Sequence, residues 1–145
     1  MWKLDPGERI AHWRAFRLAI GGMPLESAIQ ATAEYWQSCP HKPFYLNPDD
    51  PESWPTAWEL ITENYYCDLA KALGMIYTIS FSGHNSVPME IHVYNDLETG
   101  YEYNLAVFEQ GKYVINLMDG QIVNIESVKE FKLKRCYNSK QLKLE

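Results

Sequence analysis

The chain has no phosphate-binding glycine loop, no dinucleotide fingerprint and no zincin helix, which removes the common nucleotide and metalloprotease signatures. Its three cysteines, Cys39, Cys67 and Cys136, are odd in number, and none form a CxxC pair. No disulfide framework is expected from them, and a reducing compartment fits best. No metal-ligand spacing links them to the four histidines, so no metal and no cofactor is expected. No window approaches the ~18 apolar residues of a membrane span. The opening stretch, "MWKLDPGERIAHWRAF", holds no apolar signal core, so neither secretion by a signal peptide nor a membrane partner is expected.

What is present is ordinary globular composition, 46% apolar and 22% charged, over 145 residues. A chain of that size buries about two-thirds of its unfolded surface, so a single domain over residues 1–145 is expected. Aromatics are heavy at 14%, with ten tyrosines and five tryptophans, which suits a core with wet edges and contact surfaces. Net charge is −6, yet residues 129–145 hold six of the thirteen basic residues against Glu130 and Glu145. This basic tail is too short to read as a nucleic-acid site. A solvated terminal strand or helix is expected there, with an acidic partner as the alternative.

Apolar periodicity predicts helices near residues 7–20 and 24–38 and a helical hairpin over 1–38, with Gly21-Gly22 between them and Pro40 ending the second. Residues 39–55 carry five prolines and no periodicity, which excludes regular structure. Phe44, Tyr45 and Trp54 are too apolar for a free linker, since wetting each costs roughly 2 kcal/mol. They are expected to anchor an ordered arm against the body and to supply a contact surface. Thr56 and Glu59 form a T-x-x-E capping box that predicts a helix start. From Met75 the period falls to two, predicting a meander of about five strands to residue 126. The expected fold is α+β, with a helix and meander spanning 56–128 and N-terminal helices packed on the sheet.

Cys67, in "ENYYCDLAKALGM", carries the functional question. No proline or glycine precedes Gly74, and Asn64 costs a helix well under 1 kcal/mol, so one helix over 57–73 is expected. That places Cys67 mid-helix as a buried, unreactive core thiol. A break near Asn64 would instead put it in a first turn, where the helix dipole favours a thiolate.

Two resemblances follow from the motifs. The Cys heading "CDLAKALG", the strand histidine in "EIHVYND" and the later "GKYVIN" are similar to the core of the transglutaminase-like cysteine fold over roughly residues 56–118. Tyr66 stands where that family has a glycine, no aromatic directly follows His92, and Asn116 stands for the usual aspartate. This resemblance implies a cysteine-dependent hydrolase or acyltransferase using Cys67, His92 and Asn116. On "SWPTAWELITENYYC", "ALGMIYTI" and "GKYVIN", the chain also resembles small structural proteins of tailed bacteriophages. That resemblance implies a non-enzymatic assembly component, in a virion or host cytoplasm, with other protein subunits as partners. The second reading is the adopted expectation, and the cysteine enzyme is its alternative.

Overall fold

The computed structural model describes residues 1–144 as four helices packed on a four-stranded antiparallel sheet. Helices α1 (Pro6–Gly21) and α2 (Leu25–Trp36) lie close to their predicted positions. The capping box at Thr56 starts α3 (Ala57–Glu63): the Glu59 N–H donates to the Thr56 hydroxyl and the Thr56 N–H to the Glu59 carboxylate.

The expected unbroken helix does not form. Asn64 adopts the left-handed conformation at φ 59° and ends α3, a role asparagine tolerates better than most residues. Its side chain donates to the Trp2 carbonyl at 2.9 Å. The buried Arg9 guanidinium donates to the last α3 carbonyls, Ile61 at 2.7 Å and Thr62 at 2.9 Å. These long-range bonds satisfy backbone groups that the break frees, and the small propensity cost of asparagine in a helix acts in the same direction. Helix α4 (Asp68–Ser80) then starts anew, with Cys67 as its N-cap.

Helix α4 also absorbs "MIYTIS", which alternation predicted as the first strand. Period two misleads here because α4 is the central element, buried on nearly every side from Leu69 to Ser80. Such a helix shows no polar face to reveal its period. Gly74 does not stop it: a Cβ there would overlap the Trp36 indole, so the glycine serves helix packing. Below that contact, Thr78 Oγ1 accepts from the indoles of Trp13 and Trp36, both at 3.0 Å, and donates to the Gly74 carbonyl at 2.7 Å.

The strands are β1 (Met89–Asn95), β2 (Glu102–Phe108), β3 (Tyr113–Ile115) and β4 (Lys132–Asn138), in the order β3-β2-β1-β4. The sheet therefore has four strands where about five were expected, and its last strand comes from the basic tail. Met89, Ile91, Val93, Ala106, Phe108 and Ile115 join the main core under the helices. Leu105, Val107 and Val114 face a smaller core, covered by Val128 and the partly buried Phe131.

The proline-rich arm crosses the body. His41 makes an isolated parallel bridge with Tyr66, and the Lys42 N–H donates to the Tyr66 carbonyl at 3.0 Å. Trp54 is buried edge-on against Tyr137, and Tyr45 packs partly buried against the main core. Phe44 corrects the expectation of three anchors: it is 97% exposed, held outward by a backbone φ of 58°. Trp54, being buried, presents no contact surface of its own. Arg135 pairs with Asp49, and the Tyr137 hydroxyl donates to the Pro48 carbonyl, so β4 holds the arm.

Candidate active site

Three elements meet at the start of α4. Cys67 caps the helix in extended backbone, and its sulfur accepts the Ala70 N–H at 3.5 Å. The residue is 7% exposed, so it is buried as expected, but at a helix end and not three turns in. Tyr66 before it is fully buried, with its hydroxyl donating to the Leu60 carbonyl at 3.1 Å. The aromatic at this position therefore anchors the α3–α4 turn and orients the cysteine that follows.

Asn116 comes to the same place. It sits just past β3 in left-handed backbone at φ 78°, and its amide donates to the Asp68 carbonyl at 3.1 Å and the Asn104 carbonyl at 2.8 Å. Both amide hydrogens are spent on backbone, so Asn116 clamps the α4 N-terminus to β2. Among the described residues no imidazole is oriented by it.

His92 does not come. On β1 the inward positions are Met89, Ile91 and Val93, all buried in the main core. His92 faces the other side of the sheet, with Nδ1 at 3.1 Å from the Tyr94 hydroxyl and Nε2 at 3.1 Å from the Glu90 carboxylate. Strand parity alone removes it from Cys67, and the constellation Cys67–His92–Asn116 is corrected on that ground.

Two residues that the motifs did not nominate stand in the site. A pocket of about 350 Å³ opens beside Cys67, and among the described residues His41 is the one histidine that lines it. His12 is engaged with Tyr35 and His84 with the Ile20 carbonyl, both away from this pocket. Asn104 lines the same pocket from β2 and is 7% exposed, and its Oδ1 has no hydrogen-bond partner among the described residues. A signal for Asn104 exists in "YEYNLAVFE": it shares its strand face with Ala106 and Phe108 and is polar among apolar neighbours. His41 has no such signal, because only the bridge to Tyr66 brings the arm to Cys67.

The arm supplies apolar lining, with Pro43, Phe44 and Leu46, and Asp68, Tyr101 and Glu102 add polar groups to the same pocket. The Asp68 carboxylate, and secondly burial, push the Tyr101 hydroxyl above the usual tyrosine range. Cys39, partly buried nearby, is a different thiol: burial pushes it up to about 12, leaving it protonated at neutral pH. Asp119 is paired with Lys71 at 3.0 Å and is not part of this lining.

No protein-family model matches the chain, and no curated protein matches its sequence. Solved structures do match its shape. Calcium-bound LapG of Legionella pneumophila superposes with a TM-score of 0.75 at 11% identity, covering 94% of this chain and 78% of LapG. A second LapG structure gives 0.71 at 12% identity, over 95% of this chain and 82% of the other. At this identity the likeness shows the fold alone. It overturns the expectation of a non-enzymatic phage virion component, for which nothing in the matches speaks. The chain shares the fold of LapG.

Proposed function

We propose that the chain is a cysteine-dependent hydrolase or acyltransferase with Cys67 as its nucleophile. One observation carries the reading: Cys67 caps the N-terminus of α4 at the wall of a pocket that His41 also lines. Helix N-termini stabilise negative charge, and a thiol becomes a nucleophile as its thiolate. His41 is the imidazole that shares the cavity, so it takes the role of proton acceptor in place of His92.

The chemistry is acyl transfer. His41 accepts the thiol proton, and the Cys67 sulfur attacks an acyl carbonyl carbon and forms a thioester. The leaving amine or alcohol departs with the proton that the imidazole returns. Water or an amine then opens the thioester and regenerates the thiol. The arm's apolar wall takes an apolar side chain of the substrate.

Asp68 and Glu102 line the pocket, and with Asp119 they also line a smaller cavity of about 90 Å³ that Asn104 and Asn116 share.

The test is alkylation of Cys67 by iodoacetamide at neutral pH in the Cys136→Ser protein, followed by peptide mapping. The reading expects Cys67 to react faster than Cys39, and His41→Ala to slow it at least tenfold. Cys67 inert in the folded protein would sink it.

A further inference from the structure

The outer face of the sheet holds a second group of reactive side chains that the acyl-transfer reading leaves unused. Strands β1 and β4 pair antiparallel with His92 directly opposite Cys136. Glu90 lies two residues before His92 and so projects from the same face. The His92 Nε2 is 3.1 Å from Glu90 Oε1, and the Cys136 Sγ is 3.4 Å from Glu90 Oε2. One ligand atom from each of the three residues lies within 4.8 Å of the others.

We propose that Glu90, His92 and Cys136 form a binding site for a divalent transition-metal ion of the zinc class, separate from the Cys67 pocket. The donor set decides the class. A thiolate and an imidazole beside one carboxylate suit zinc or cobalt, whereas calcium and magnesium require mostly oxygen. Tetrahedral zinc with sulfur, nitrogen and oxygen ligands places neighbouring donor atoms roughly 3.3–3.7 Å apart. Of the two separations, 3.1 Å to Glu90 Oε1 falls just short of that range and 3.4 Å to Glu90 Oε2 lies within it, so the three side chains must adjust to close on an ion.

The surroundings favour the same reading. The Tyr94 hydroxyl lies 3.1 Å from His92 Nδ1, an oxygen acceptor where a metal-bound histidine ordinarily has a carboxylate, a carbonyl or water. With Nδ1–H donating to that hydroxyl, the Nε2 lone pair is the one directed to the Glu90 side. Three protein ligands leave a fourth position for water, as in sites that keep an open coordination place. Binding converts the Cys136 thiol to a thiolate and releases its proton to solvent, with no change of oxidation state. Because β4 is an edge strand, the ion would also fasten the basic tail to β1.

The experiment is titration of the full-length chain with Co²⁺, read by absorption. The expected result is one equivalent bound, with a sulfur-to-cobalt charge-transfer band and the intense visible bands of four-coordinate cobalt, both removed by Zn²⁺. Cys136→Ser abolishes the charge-transfer band, and Tyr94→Phe weakens binding about tenfold or more. Cys67→Ser leaves the spectrum unchanged and is the control that separates this site from the acyl-transfer thiol. No stoichiometric band, a band that survives Cys136→Ser, or a band lost in Cys67→Ser would each overturn the site. Cys136 is exposed, so its serine variant is expected to fold, and near-ultraviolet circular dichroism checks this.

Discussion

The two faces of β1 differ by one residue of phase and carry different chemistry. Inward, Ile91 and Val93 are fully buried beneath the helices and belong to the main core. Outward, Glu90, His92 and Tyr94 form a polar row that meets Cys136 of the neighbouring strand. A histidine read only in chain order, after a cysteine and before an asparagine, looks like a triad member. Read with its parity, it belongs to another site. Chain order nominates residues for a constellation, and the pleat decides which of them can meet.

The sharpest way to break that comparison is to truncate both faces. Ile91→Ala should cost about 2–5 kcal/mol of stability through a cavity in the core. His92→Ala should cost less than about 1 kcal/mol, since it removes only partly exposed polar contacts. Urea denaturation of both variants checks the pair, and equal losses would mean that the assigned phase is wrong.

A smaller effect tests the clamp. Asn116→Ala leaves the carbonyls of Asp68 and Asn104 without their donor and should cost about 1–3 kcal/mol. If the clamp positions the α4 N-terminus, the same variant should slow Cys67 alkylation while leaving cobalt binding at Cys136 intact.

Alkaline pH should give the gentlest perturbation. Burial raises the hydroxyls of Tyr66 and Tyr77 above their ordinary values and pushes the Cys39 thiol up to about 12. A raised folded-state value means stability that is complete below the unfolded value and lost as pH climbs through the folded one. Thermal melting should therefore stay level with respect to these groups up to about pH 9 and decline above it, near where unfolded thiols and phenols ionise. A melting temperature unchanged from pH 9 to 11 would contradict the buried state of these groups.

Much of the scaffold is legible in the sequence because its signals are local. The capping box at Thr56, the period of α1 and α2, and the alternation of β1 and β2 each act within one element. The site is less legible because it is assembled from a distance. Asn64 breaks the helix only with Arg9 and Trp2 there to satisfy the freed groups, and these residues lie more than fifty positions away. Without that break Cys67 would sit mid-helix, and the functional reading would reverse. Gly74 reads as a helix stop until the Trp36 ring lies against it. Phe44 and Trp54 look alike as proline-arm aromatics, yet Phe44 is exposed at a left-handed backbone position and Trp54 is buried against Tyr137 of β4. The cluster at Cys136 has no sequence spacing at all, since the register of β1 on β4 creates it.

The most direct measurement is the rate of Cys67 alkylation at neutral pH in the Cys136→Ser background, compared across wild-type histidines, His41→Ala and His92→Ala. Cys67 should react well ahead of Cys39. The rate should fall at least tenfold without His41 and should be unmoved without His92. A slow Cys67 in every variant, or a rate that depends on His92 and ignores His41, would contradict a nucleophile at the head of α4 served by the arm.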